Sequence, residues 1–251
     1  GISGGVDSAL TATIAAQAIG PENIIGIMMP TMFTSENSIK DAEDLSNRLK
    51  IQFRVIQISD LFHKMSGQIE DCFNQNNTNL ANENLQARIR ANILMTIANN
   101  NNALLFNTGN KTEIGLGYCT IYGDMCGAIS VISDLNKIEV YNLSKWINKT
   151  FSDNLIPSNI INKKPSAELR FNQYDPFDYE IVSPLVDEII INRKSKSDLI
   201  NLGYEANLIR KISKLIQNSE YKRKQSPPGI KVSNKAFGLG RRFPIINKFK
   251  G

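Results

Sequence analysis

The feature that most constrains this chain is its opening, Gly1-Ile2-Ser3-Gly4-Gly5-Val6-Asp7-Ser8, which runs straight into the apolar, alanine-rich residues 9–19. Closely spaced glycines let backbone N–H groups approach an anion, and a helix beginning near Asp7 or Ser8 points its positive end at that anion. Ser3 and Ser8 add hydroxyl donors, and Asp7 stands where a Mg²⁺ carrying pyrophosphate would take a carboxylate. The plain alternative is a Gly-Gly turn capped by Asp or Ser. No Gly-Lys-Ser/Thr follows, so the stretch is not a Walker loop. In a doubly wound sheet such a loop leaves a buried strand. None is written ahead of Gly1, and the expectation is that the chain is an excerpt of a longer polypeptide in which that strand precedes it.

The order of elements that follows argues for a parallel α/β sheet. Residues 24–29 form a continuous apolar run of strand length ending at Pro30, as a buried parallel strand does. Residues 38–49 carry Ile39, Ala42, Leu45 and Leu49 at helical spacing, residues 52–58 read as the next strand, and residues 61–73 as a helix. Residues 83–99 form the best amphipathic helix, with Leu85, Ile89, Ile93, Leu94 and Ile97 on its apolar side and Arg88 and Arg90 pointing elsewhere. Residues 103–106 read as a short buried strand, residues 115–127 as an irregular loop, and residues 140–147 as a helix. Residues 152–187 are rich in Pro, Asn and charge and predict a lid-like loop. Helices resume at 185–192, 196–202 and 205–218, and residues 222–251 form a basic tail interrupted by Pro and Gly. With 251 residues and no sign of a second core, one domain with a helical C-terminal extension is expected.

Composition removes several classes of chemistry. His63 is the only histidine, which excludes a mechanism resting on a catalytic His base within this chain. Cys72, Cys119 and Cys126 lack the count and spacing of a zinc site or a disulfide framework, so reduced buried thiols are the default. The formal charge of +5 permits a nucleic-acid partner, but anionic nucleotide substrates explain it equally well. No membrane-length apolar run and no signal peptide are present, and a cytoplasmic protein without a nucleic-acid or membrane partner is expected.

Several separate segments carry a resemblance. Ser3-Gly4-Gly5-Val6-Asp7-Ser8 resembles the pyrophosphatase loop of the ATP pyrophosphatases. Gly109-Asn110-Lys111-Thr112-Glu113, then Gly117-Tyr118-Cys119-Thr120-Ile121-Tyr122-Gly123-Asp124, and later Lys164-Pro165-Ser166-Ala167-Glu168-Leu169-Arg170, resemble the signature segments of NAD⁺ synthetases. The ending, with Lys222-Arg223-Lys224-Gln225-Ser226-Pro227-Pro228-Gly229 and Gly240-Arg241-Arg242-Phe243-Pro244-Ile245, is similar to the glutamine-dependent branch. The chain departs from that branch at Phe177-Asp178-Tyr179-Glu180-Ile181-Val182-Ser183-Pro184.

The resemblance implies a Rossmann-like, adenine nucleotide alpha hydrolase-like fold and a ligase reaction in two steps. The nicotinate carboxylate of deamido-NAD⁺ is adenylated by ATP with release of pyrophosphate, and ammonia, free or from a glutaminase domain upstream, then displaces AMP. It implies that residues 1–8 hold the ATP phosphates, that Asp7 and Glu113 are Mg²⁺ carboxylates, and that Thr108 and Ser166 contact ATP. Lys137 would meet the phosphates, Arg88, Tyr221 and Lys222 would lie at deamido-NAD⁺, and the protein would be a homodimer. Taken on their own, Arg88 reads as a solvated helix face, Glu113 as a helix-entry carboxylate and Lys137 as a surface lysine. The alternatives are another ATP pyrophosphatase, of the GMP synthetase or tRNA-modifying kind, and a nucleotide-binding module without turnover.

Overall fold

The computed structural model describes residues 1–151, 154–238 and 240–246. The opening loop ends at Gly5, and α1 spans Val6–Ile19, starting one residue before Asp7. Its alanines let it sit deep in the protein, with Ala9 and Leu10 fully buried. Strand β1, Ile25–Met28, follows, then α2, Glu36–Leu49, and β2, Gln52–Val55, which pairs in parallel with β1 from Ile25 opposite Gln52 to Met28 opposite Val55. Side chains along β1 alternate between two cores, as period-two strands require. Ile24 and Met28 pack with α1 and α2, while Ile27 and Met29 pack against Phe62 and Ile89 on the opposite face. Those two residues belong to α3, Ser59–Phe73, and α4, Asn79–Asn100. Helices on both faces of parallel strands make this a doubly wound α/β fold.

A second parallel pair joins β3, Phe106–Asn107, to β4, Ile129–Ser130. Between them runs α5, Lys111–Leu116, and β4 leads to α6, Lys137–Thr150. Residues 103–106 do not form the short buried strand expected of them: only Phe106 is in β3, and Leu104 is 75% exposed. Sequence alone registers its apolar character and not the neighbours it packs against.

The expected 152–187 lid is also corrected. It contains α7, Ser158–Asn162, and from Tyr179 the chain is already in α8, Tyr179–Ile190, which includes Pro184. The irregular segment is therefore residues 163–178. Pro184 is the sixth residue of α8, inside the helix, where it has no N–H to give to the Glu180 carbonyl. Helices α9, Lys196–Asn201, α10, Ala206–Asn218, and α11, Glu220–Arg223, complete the chain order. Leu185, Ile190, Leu199, Ile212 and Ile216 from α8 to α10 form an apolar cluster of their own with Leu116 of α5. The helical extension expected after the sheet thus carries an apolar cluster of its own, packed against α5. The tail from residue 222 starts inside α11, and Ser130 and Gly229 form an isolated parallel bridge beside β4. Among the described residues, no helix is long and apolar enough to cross a membrane.

Candidate active site

The opening loop is shaped by its own side chains. The Ser3 N–H donates to Ser8 Oγ at 3.2 Å, Ser8 Oγ–H donates to the Gly5 carbonyl at 3.0 Å, and the Gly5 N–H donates to Ser3 Oγ at 3.2 Å. The Ile2 N–H bonds to the Ile27 carbonyl of β1 at 2.9 Å, which sets the loop's entry. Gly4 has φ +79°, and a Cβ there would stand 2.3 Å from the Ser38 carbonyl oxygen. Only glycine allows this approach between the loop and α2.

The loop opens onto a cavity of about 330 Å³ lined by residues 1–8, Thr108, Glu113, Lys137, Lys163 and Ser166 among others. Every ATP-contacting residue expected from the resemblance therefore borders one space. Lys137 is no surface lysine: its side chain is 4% exposed, with Nζ 2.5 Å from Asp7 Oδ2 and 3.3 Å from Glu113 Oε1. Burial opposes its charge, but Asp7 and Glu113 outweigh that and raise its pKa above the ordinary lysine range. Burial pushes the Glu113 carboxyl up to about 8; Asp7 adds to the rise and Lys137 opposes it. Glu113 is also a helix-entry carboxylate, closing a capping box with Asn110 on α5.

Several residues that the sequence reading passed over complete the site. Asn110, the N-cap of α5, donates from Nδ2 to Asp7 Oδ1 at 2.9 Å, and its spacing from Glu113 was the available signal. Asn107 Nδ2 donates to the Asp124 and Cys126 carbonyls, and its Oδ1 accepts from Gly109 N–H. It thereby orders the 117–126 loop around the strand end. Tyr179 lies with its ring centroid 5.3 Å from Lys137 Nζ, and its hydroxyl donates to Asp175 at 2.9 Å. Burial, then Glu113 and Asp175, hold that phenol protonated. Neither residue has a periodic or motif signal. Arg90, expected to point away, borders the cavity and donates to the Met29 carbonyl at 3.1 Å, and burial lowers its pKa to about 10.

The irregular segment is tied down over the loop. Lys163 Nζ reaches Asp41 Oδ2 at 2.5 Å, the Gly4 carbonyl at 3.2 Å and Ser38 Oγ at 3.1 Å. Glu168 accepts from Ser35 Oγ at 2.9 Å and Ser38 Oγ at 2.7 Å at the N-terminus of α2, while Ser166 Oγ donates to the Gln173 carbonyl at 2.6 Å.

Arg88, Tyr221 and Lys222 are not brought to this cavity. Arg88 is exposed and donates to the Ile121 carbonyl at 3.2 Å; Lys222 Nζ donates to the Gly117 and Cys119 carbonyls at 2.8 and 2.6 Å. Both brace the 117–126 loop from outside, and Tyr221 is exposed beside Lys222. The expected burial of the thiols is not found either: Cys72 is exposed, and Cys119 and Cys126 are partly exposed.

Asp7 and Glu113 offer hard oxygen donors converging on one cation position, which Lys137 shares. Among the described residues no cluster of three or more His, Cys, Asp or Glu could hold a metal ion. This donor set fits Mg²⁺, an ion that takes one or two carboxylates and completes its shell with phosphate and water.

Over residues 1–226 the chain matches NAD synthase. It is 41% identical over 252 residues to the glutamine-dependent NAD(+) synthetase of Synechocystis sp., covering 99% of this chain and 45% of that protein. To the glutamine-dependent NAD(+) synthetase of Thermotoga maritima it is 40% identical over 253 residues, covering 100% of this chain and 44% of that protein. The solved glutamine-dependent NAD+ synthetase from Acinetobacter baumannii, in complex with adenosine diphosphate, superposes with a TM-score of 0.63 at 33% identity, over 98% of this chain and 44% of that one. The chain spans a little under half the length of these relatives. Loop, capped carboxylate and buried lysine all lie within the residues matched, and the chain belongs to the NAD synthase family.

Proposed function

We propose that this chain catalyses the ATP-dependent amidation of deamido-NAD⁺ to NAD⁺, in the cytoplasm, as the last step of NAD⁺ synthesis. The observation that carries the reading is the convergence of Asp7, Glu113 and Lys137 at the mouth of the opening loop. In the first step the nicotinate carboxylate attacks the α-phosphorus of ATP, and the bond to the leaving pyrophosphate breaks. In the second, ammonia attacks the acyl carbon of the adenylate, the bond to AMP oxygen breaks, and the nitrogen loses a proton. Neither step needs a side-chain nucleophile, which suits a chain with one histidine, outside the cavity.

The N-terminus of α1 and the loop's N–H groups bind the phosphates, with Thr108 and Ser166 lining the nucleotide's place. Asp7 and Glu113 would hold Mg²⁺, which when bound neutralises charge on the departing pyrophosphate. Lys137 brings a fixed positive charge to the same phosphates, and its burial strengthens that charge's effect. Lys163 and Glu168 hold the irregular segment against α2, which keeps water from the adenylate. Arg88, Tyr221 and Lys222, on the far side of the 117–126 loop, are the proposed contacts to deamido-NAD⁺, close to a second copy of the chain. The second substrate is ammonia, supplied free or by hydrolysis of glutamine.

The test is product identity. The full-length protein with ATP, Mg²⁺ and deamido-NAD⁺, given ammonium in one arm and glutamine in the other, should release pyrophosphate and NAD⁺ in equal amounts. Nucleotide binding with no pyrophosphate in either arm would overturn the reading in favour of a binding module. Sedimentation at assay concentration reports whether the active species is a dimer.

A further inference from the structure

The chain writes one helix start twice, as Asn110-Lys111-Thr112-Glu113 and Asn136-Lys137-Ile138-Glu139. Both fold as capping boxes, with the asparagine at the N-cap and the lysine as first residue of the helix. The two lysines then part. Lys137 enters the cavity, whereas Lys111 turns inward, 1% exposed, with Nζ 3.4 Å from Asp134 Oδ1 and 3.3 Å from Asp187 Oδ1. Each lysine also crosses to the other helix's start. Lys137 meets Glu113 of α5, and Lys111 meets Asp134, two residues ahead of the cap of α6. Further bonds bind the pair: the Lys137 N–H donates to Thr112 Oγ1 at 3.2 Å, and Asn136 Nδ2 donates to Asp187 Oδ2 at 2.5 Å.

Asp134 is at the same time the anchor of the C-terminal segment. It accepts the Val232 N–H at 2.8 Å, the Ser233 N–H at 2.6 Å and the Ser233 hydroxyl at 2.8 Å. That segment also runs beside β4, where Ser130 N–H donates to the Pro228 carbonyl at 2.9 Å and Ile230 N–H to the Ser130 carbonyl at 3.2 Å. Charge balance makes the arrangement conditional. One ammonium faces the buried Asp134 and the partly exposed Asp187, and the hydrogen bonds that Asp134 accepts come from the three donors of that segment. Lys111, Asp134, Asp187 and Ser233 all lie outside the cavity lining.

We infer that Lys111, Asp134 and Ser233 form a clamp through which the C-terminal segment fixes the starts of α5 and α6, and so holds Lys137 and Glu113 in register at the opening loop. They are positioning residues for the proposed reaction, on which the catalytic half of this inference rests. An ångström of drift between the two helix starts would separate Lys137 from the phosphate position, and errors of that size cost large factors in rate.

The test uses the full-length protein with Ser233→Ala and, as the stronger perturbation, Asp134→Asn. At saturating ATP and well below the melting midpoint, Ser233→Ala should lower the rate of pyrophosphate release at least threefold and Asp134→Asn at least tenfold. In a Lys137→Met background, adding Ser233→Ala should cost a smaller factor than in wild type, because the part of the effect that acts through Lys137 is already gone. Wild-type rates in Ser233→Ala, or the same fractional loss in both backgrounds, would overturn the clamp. Amide hydrogen exchange supplies a readout independent of turnover: Ser233→Ala should speed exchange at residues 110–113 and 136–139 at least tenfold and leave α2 unchanged. An inactive wild type with that exchange response refutes the reaction and keeps the clamp, and unchanged exchange refutes the clamp whatever the activity.

Discussion

Glu113 serves the fold and the site at once, and the two duties conflict. As the third helical residue of α5 it closes a capping box, and as a carboxylate near Asp7 it sits where burial and a like charge favour its protonated form. Its folded pKa, raised from 4.5 to about 8, means that its contribution to stability is complete below about 4.5 and is lost as pH rises through about 8. Glutamine keeps the capping box and has no charge to desolvate. Glu113→Gln should therefore gain thermal stability over wild type progressively from pH 5 to pH 9, and melting curves with equal pH slopes would contradict this. The same variant, and Asp7→Asn, should lose at least about 10²-fold in pyrophosphate release, the scale of a lost transition-state contact. Near-normal turnover in either would remove that residue from the site.

At the scale of elements, α5 is short, and its cap holds both the helix and Asp7. Asn110→Ala should cost about 1 kcal/mol in urea unfolding, the typical worth of an N-cap, with loss of turnover as Asp7 is released. An unchanged midpoint would show that the cap is dispensable. Elements that announce themselves by period were legible: the apolar stripe Leu85, Ile89, Ile93 of α4 and the run at β1 fold as their spacing predicts. The opening loop was legible because its glycines and serines have few other uses together. Leu104 was misread because an apolar residue in sequence does not say whether a neighbour covers it. Arg90 and Arg88 are two positions apart on one helix, and which of them faces the cavity depends on the helix's rotation against β1. Tyr179 and Asp175 belong to the site through a tertiary approach that no local pattern encodes.

At the scale of the whole molecule, apolar clusters pack on the two faces of the first strand pair and a third forms among α8, α9 and α10, beside which Arg223 is a buried joint between α11, α5 and the tail. It is buried with Glu220 at 2.9 Å, donates to the Gly115 carbonyl at 2.9 Å, and lies 4.7 Å from the ring centroid of Phe237. Removing one partner of such a pair leaves the other charged and dry, so Arg223→Ala should cost about 3–5 kcal/mol in denaturant unfolding. A loss below about 1 kcal/mol would show that Glu220 finds water or another partner. Within the tail read from sequence as basic, this residue carries its charge into the interior.

The lysine lodged between Asp7 and Glu113 makes the free site resemble an ion-exchange resin already loaded with its own counter-ion. Bare Mg²⁺ would have to evict an ammonium that cannot diffuse away, whereas a metal arriving on a nucleotide brings phosphates to which that ammonium can transfer. The nucleotide and its metal should accordingly enter together. Calorimetric titration should find that Lys137→Met binds Mg²⁺ in the absence of nucleotide at least tenfold more tightly than wild type, and equal affinities would mean that the lysine is no competitor.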